Sequence, residues 1–244
     1  MSNINTIKQP VYGLLYTHHR VPDAVFKLVL DSIKLTGLPE ENLLISAHYQ
    51  DNRFPPRARR KFFTPRHPGT NIGNEWMAMI YQQMIAGLEI LPSDAWVLTL
   101  EHDVAYPIGY LETMRDAMID PTVVYYYTNL RHLDIRPGGQ PHFWASDPNG
   151  TRTLQSCCGG NVTTLLSHAR RDLVNYLQGT LRADFELGIN DRWQGVYCEQ
   201  CVLDIRQGSN TSNVGYDKTI HHETSTLPYW GNADHLKRRL VFPN

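Results

Sequence analysis

The feature that most limits the architecture of this chain is an alternation of two hydrophobic periods over roughly its first 130 residues. "VYGLLY", Val11 to Tyr16, is a short β-rich run followed by the polar turn "THHRVPD". Pro22 and Asp23 then mark a helix start, with Val25, Leu28, Val29 and Ile33 at helical spacing until "GLP" ends it at Gly37 to Pro39. "NLLISAHY" reads as a second strand. Gln50 to Gly73, "QDNRFPPRARRKFFTPRHPGTNIG", has no stable period and is predicted as a long loop. From Asn74 to about Leu88, Trp76, Ile80 and Met84 recur every four residues, and Met77 and Leu88 share their broad face, which predicts a helix. "AWVLTL" is the third strand, Pro107 is placed for a first helical turn, and Leu111, Met114 and Met118 continue that helix. "TVVYYYTNL" is a fourth strand by its β-branched and aromatic content. Strands alternating with helices in this way predict an α/β fold, a mostly parallel sheet with helices on both sides.

The second half is less regular. It holds the loop "RPGGQPHFWASDPNG", a turn at Gly159-Gly160-Asn161, a helix over roughly Leu165 to Leu177, the acidic stretch "ADFELGINDRWQGVY" and the segment "DKTIHHETST". A length of 244 residues suits one α/β domain, and the division expected is a first half over about 10–130 and a second half over about 131–244. The net charge of −1 argues against general polyanion binding, so any basic surface has to be local. No segment reaches the roughly 20 apolar residues of a membrane span, and the N-terminal "MSNINTIKQP" has no long apolar run, so a cytoplasmic location is expected. Four cysteines are too few for a disulfide-held secreted fold. The spacing from Cys157-Cys158 to Cys198-x-x-Cys201 matches no common zinc site, which leaves buried reduced thiols.

In parallel sheets ligands collect at the carboxyl ends of strands. Three groups lie at such ends here: Thr17 to Arg20, Tyr49 to Asp51, and Glu101 to Asp103. Burying carboxylates at a strand end is costly without a partner. Alternation along an extended chain puts Glu101 and Asp103 on one side, where they could share a cation. Hard oxygen ligands with an interleaved His102 suit Mn²⁺ or Mg²⁺, the ions that bridge paired phosphates. The segment after Gln50 holds Arg53, Arg57, Arg59, Arg60, Lys61 and Arg66 among Phe54, Phe62 and Phe63. Such a composition fits either a loop folding over an anionic ligand or a nucleic-acid groove.

Taken in order, these pieces resemble the motifs of GT-A-fold glycosyltransferases, most nearly family 2. "LLYTHHR" is similar to the family's first strand end and "LVLDSI" to the helix after it. "NIGNEWMAMIYQQMIAGL" resembles its N-x-G turn and helix, and "WVLTLEHDVAYPIGYL" its D-x-D element, with E-H-D in place of D-x-D. "DFELGINDRWQGVY" resembles the E-D-x-x-L region and "KTIHHETST" the C-terminal histidine segment.

The resemblance implies a metal-dependent transferase with Mn²⁺ or Mg²⁺ that moves a sugar from a nucleotide-sugar, a UDP-sugar foremost, to an acceptor hydroxyl. It implies that Asp103 is a direct metal ligand, that Glu101 contacts the ribose or a metal-bound water, and that His221 or His222, with His222 preferred, is a third ligand. Thr17, His18, Arg20 and Asp51 would hold the nucleoside and ribose, and Lys218 the diphosphate. Asp184 or Glu186 would be the base, with Glu199 and Asp204 in reserve; a retaining enzyme would need none. Arg57, Arg59, Arg60 and Lys61 would meet a nucleic-acid acceptor such as a hydroxylated DNA base. The alternatives are a non-catalytic nucleic-acid-binding module on this fold and a sugar-phosphate nucleotidyltransferase. The second usually carries a Gly-rich, lysine-containing first loop, which "YTHHRVPDA" does not provide.

Overall fold

The computed structural model describes residues 10–17, 20–62, 75–145, 158–180, 192–207 and 221–242. The first apolar run is β1 (Val11–Tyr16), followed by α1 (Asp23–Leu35), and β2 (Leu43–Ala47) lies parallel to β1. The chain continues outward to β3 (Arg59–Phe62) and through α2 (Glu75–Leu88), then enters β4 (Trp96–Glu101) on the other side of β1. Then come β5 (Val104–Ala105), α3 (Tyr110–Ala117), β6 (Val124–Tyr127), β7 (Leu130–Asp134) and β8 (Phe143–Ala145). Next are β9 (Cys158–Asn161), α4 (Val162–Leu177), β10 (Trp193–Val196) and β11 (Val202–Arg206). β12 (His221–Thr224), the small pair β13 (Thr226–Leu227) and β14 (Gly231–Asn232), and α5 (Ala233–Val241) complete the described order.

The main sheet has seven strands in the order β10-β6-β9-β4-β1-β2-β3. All pairs are parallel except those of β9, which opposes both β4 and β6. Strand alternation divides its side chains between two cores. Leu15, Ile45, Leu98, Leu100, Tyr125 and Tyr127 pack with residues of α1, α3 and α5 on one face, while Leu14, Tyr16, Leu44, Val97 and Val124 pack with α2 and α4 on the other. The result is the mixed α/β fold, a mostly parallel sheet covered by helices on both faces. Among the described residues no helix is long and apolar enough to cross a membrane.

A second sheet of five strands, β12-β8-β7-β11-β5, is fed from the first by three crossings: β4 to β5, β6 to β7 and β10 to β11. The run "TVVYYYTNL", expected as one strand, is therefore two strands in two sheets. Asn129 bridges that crossing, its Nδ2 donating to the carbonyls of Cys198 (2.9 Å) and Glu199 (3.0 Å).

Two other expectations are corrected. The loop after Gln50 contains β3, which carries no apolar alternation because it is the sheet's edge and its residues are largely exposed. The expected Gly-Gly-Asn turn is β9, wedged between β4 and β6. A Cβ at Gly159 would stand 2.6 Å from Met118 Sδ and 2.7 Å from Leu98 Cδ2, so any larger residue there needs both side chains to shift. Asn161 then caps α4 by accepting from the Thr163 amide. Pro107 lies a turn ahead of α3, its carbonyl accepting from Tyr110 N at 3.0 Å.

Candidate active site

The strand order makes one crevice special. The chain builds β1, β2 and β3 outward in one direction and then returns to lay β4 on the opposite side of β1. The carboxyl ends of the strands at such a reversal, here β1 and β4, are the place where open α/β sheets bind ligands. Tyr16 ends β1 and Glu101 ends β4, and the two are register partners.

Side-chain alternation gives Glu101 and Tyr16 the same face, and Tyr16 Oη donates to Glu101 Oε1 at 2.7 Å. The Glu101 amide donates to Tyr106 Oη at 2.8 Å, and the Tyr106 amide donates to Ser32 Oγ of α1 at 3.0 Å. The segment from Glu101 to Tyr106 is thus anchored at both ends. Between them His102 and Asp103 form a turn, not an extended continuation, so the alternation expected to align Glu101 with Asp103 stops at Glu101. Asp103 is instead placed by β11: the Ile205 amide donates to its carbonyl at 2.8 Å.

His102 is largely covered, and its burial pushes the imidazole pKa down to about 4, against a smaller upward effect of its bond to the Tyr16 carbonyl. The ring is therefore neutral at pH 7. Its Nδ1 lies 3.2 Å from that carbonyl and so carries the proton, and Nε2 lies 3.9 Å from Asp103 Oδ2. Carboxylates and an imidazole nitrogen are the donor types that suit a hard to borderline divalent cation. Among the described residues no three His, Cys, Asp or Glu side chains are already gathered as a metal cluster.

Thr17 continues β1 and is 1% exposed. Its amide donates to the Ser46 carbonyl (3.2 Å), its carbonyl accepts from Gln83 Nε2 (2.7 Å), and Ser46 Oγ donates to the Gln83 carbonyl (2.7 Å). Thr17 Oγ1 and Tyr49 Oη are 3.4 Å apart. Arg20 is exposed in the turn that follows. Tyr16, Ser46, Gln83 and Tyr106 were not singled out in the sequence. The available signal was the polar residue on an otherwise apolar face, such as Ser46 in "LLISA".

Asp51 lies at the predicted strand end, but its carboxylate is occupied. Arg53 Nε reaches Asp51 Oδ1 and Oδ2 at 3.0 and 2.8 Å, Nη2 reaches Oδ2 at 2.6 Å, and the Arg53 amide donates to Oδ1 at 2.9 Å. Arg53 Nη1 also donates to the Val21 carbonyl (2.9 Å) and to Asp23 (2.7 Å), and the guanidinium stacks 4.8 Å from the Phe26 ring. Its bonds hold the Asp51 carboxyl below the usual range. Arg53 is thus a clamp between this loop and the start of α1.

Arg57, Arg59, Arg60 and Lys61 lie on and just before the edge strand, and among the described residues none of them is ion-paired. Alternation divides them: Arg59, 5.4 Å from the Tyr12 ring, shares a face with Lys61, while Arg60 takes the other. His222 is exposed, at φ 51°, on β12. That strand is the edge opposite β5, about 19 Å along the sheet at roughly 4.8 Å per strand, so the strand order does not bring His222 to Asp103. Asp204, a reserve base, is buried and ion-paired with Arg206 (2.9 Å) and His132 (2.7 Å), which removes it from that role. His18, Asp184, Glu186 and Lys218 lie outside the described residues.

No protein-family model matches the sequence, and no curated protein does. Solved structures similar to it include a glycosyltransferase involved in glycosylation of the major capsid of PBCV-1, at 10% identity and TM-score 0.45, covering 80% of this chain and 92% of that one. GalNAc-T7 with UDP, GalNAc and Mn²⁺ has 10% identity and TM-score 0.43, covering 83% of this chain and 46% of that one. The Aq1419 protein of Aquifex aeolicus VF5 has 10% identity and TM-score 0.43, covering 78% and 88%.

Proposed function

We propose that this chain is a metal-dependent glycosyltransferase that holds a nucleotide-sugar, a UDP-sugar foremost, in the crevice between β1 and β4. The observation that carries the reading is the pairing of Tyr16 with Glu101 across the reversal in strand order, with Asp103 two residues on. Strand ends at such a reversal receive ligands, and the carboxylates of Glu101 and Asp103 there have a physical use if a divalent cation joins them to an anionic ligand.

Asp103 and Glu101 would hold Mn²⁺ or Mg²⁺, with the neutral His102 Nε2 beside them, and the ion would offset charge developing on the departing diphosphate. Tyr16 fixes the Glu101 carboxylate so that it meets the ion or the ribose without reorganisation. Thr17 and Arg20, with His18, are assigned to the nucleoside, and Lys218 to the diphosphate. Asp51 keeps a place in this set only if the donor displaces Arg53 from it. The base for an acceptor hydroxyl is assigned to Asp184 or Glu186 in the half from about 131 to 244. A nucleic-acid acceptor is favoured by one observation, the exposed Arg59 and Arg60 of the β3 edge, and predicts binding that weakens steeply with salt.

The test is a thermal-shift series with UDP, GDP, CDP and ADP and their sugars, with and without Mn²⁺. A ligand that binds only the native state raises the melting temperature. The expected result is a Mn²⁺-dependent rise with one nucleoside diphosphate that Asp103→Asn abolishes while its circular dichroism stays native. A rise that is indifferent to Mn²⁺ and to Asp103→Asn, or no rise with any donor, overturns the reading.

A further inference from the structure

The E-H-D turn is where the chain passes from one sheet to the other. Glu101 is the last residue of β4 and is held to the seven-stranded sheet through Tyr16. Asp103 immediately precedes β5 and is held to the five-stranded sheet, through the Ile205 amide and the Asp204–Val104 pairing. The separation of the two carboxylates is therefore set by where β11 stands.

β11 carries an unusual row. Asp204 is the register partner of Val104 on one side and His132 on the other, and His132 is the partner of Trp144 on β8. His132 Nδ1 lies 2.7 Å from Asp204 Oδ2, and Arg206 Nη2 lies 2.9 Å from the same oxygen. The Trp144 ring covers the imidazole, with centroids 4.3 Å apart at 32°. All three ionisable groups are buried: His132 is 0% exposed, and Asp204 and Arg206 are each 3%. Burial opposes the charge on Asp204, yet the Arg206 guanidinium and the His132 bond together hold its carboxyl below the usual range.

Well-packed apolar residues of similar volume often replace such a buried ionic group with no loss of stability or with a gain. What the ionic row supplies is direction. A single carboxylate oxygen accepts from Arg206 on its own strand and from His132 on β7, and a slip of one residue would break the bond to His132 and turn every side chain of β11 to the other face.

We infer that the buried His132–Asp204–Arg206 row positions Asp103 for cation binding by locking β11 against β7, with His132 the positioning residue on the neighbouring strand. The inference rests on the reading of Asp103 as a cation-binding carboxylate.

The experiment uses the full chain with His132→Leu, which removes the bond to Asp204, and His132→Asn, whose amide donor stands where Nδ1 does. Mn²⁺ affinity is read from the EPR signal of the free ion, and amide exchange at Ile205 by NMR. The expected result is that His132→Leu, folded by circular dichroism, weakens Mn²⁺ binding about tenfold or more, the range for residues that orient metal ligands. Exchange at Ile205 should also quicken, and His132→Asn should restore both readouts to within about threefold. If His132→Leu does not fold, Asp204→Asn takes its place with the same expected losses, since it keeps the shape but gives up the charge that Arg206 and His132 hold. Native Mn²⁺ affinity in a folded variant, or unchanged exchange at Ile205, overturns the inference. If the native chain binds no Mn²⁺, the cation reading fails, and Ile205 exchange alone then decides whether the row clamps the turn.

Discussion

The two sheets are held together by different physics, and the candidate site lies across the seam between them. The seven-stranded sheet is secured by apolar packing on both faces, and its contribution to the site, Glu101, is oriented by a neutral tyrosine hydroxyl. The five-stranded sheet carries charge in its interior, and its contribution, Asp103, is tied by its backbone to the strand that bears this charge. Apolar packing is tolerant of small shifts because it is non-directional, whereas hydrogen-bonded charge is directional and fails when one partner is lost. The contrast teaches that the first sheet holds its part of the site by tolerant apolar packing and the second by directional bonds that fail when one partner is lost.

The largest expected effect is in the second sheet. Asp204→Ala leaves Arg206 buried without its partner and should cost about 3–5 kcal/mol in urea unfolding. Replacing the row together, by His132→Leu with Asp204→Leu and Arg206→Met, should recover most of that loss without recovering Mn²⁺ affinity. Recovery of both would erase the distinction between tolerant packing and directional bonding. In the first sheet Leu14→Ala, at a fully buried position, should cost about 3 kcal/mol by leaving a cavity, with the Mn²⁺ affinity of the folded fraction unchanged.

At the seam, pH reads the burial of His102. Its folded pKa of about 4 lies below the ordinary value of 6.5. Between these pH values the unfolded chain binds a proton that the native chain does not, so stability is complete above about pH 6.5 and falls as the pH drops toward 4. In the presence of a chelator, His102→Gln should remove up to about 3 kcal/mol of that decline, measured by urea unfolding across the range. An unchanged acid limb would mean that the imidazole is hydrated. The smallest effect belongs to the exposed Lys27–Asp31 pair of α1, where Lys27→Ala should shift stability by no more than about 0.5 kcal/mol.

Much of the first sheet could be read from hydrophobic period alone. β1, α1, β2, α2, β4 and α3 fall near where their periodicities predict them, because each buries a face against the same core and the pattern of burial is written locally. β3 could not be read, since an exposed edge strand needs no apolar alternation. β9 could not either, because its two glycines signal a turn unless the side chains of Met118 and Leu98 are already there to exclude a Cβ. At the candidate site, the strand-end rule puts Thr17 at the end of β1 and Glu101 at the end of β4, but it says nothing of Arg53 occupying Asp51. It is equally silent on Tyr16 bonding Glu101 across 85 positions of sequence.

By itself, then, the sequence determined the α/β alternation, the carboxylates at the end of the third apolar strand and the basic character of the segment after β2, all of which depend on neighbours along the chain. Only the tertiary structure decided that the chain reverses its strand order at β4 and that Glu101 and Asp103 belong to different sheets. It alone joined His132, Asp204 and Arg206 at hydrogen-bond distance. These are relations between segments far apart in sequence, and closing such contacts is specified by the summed packing of two cores, which no local window contains.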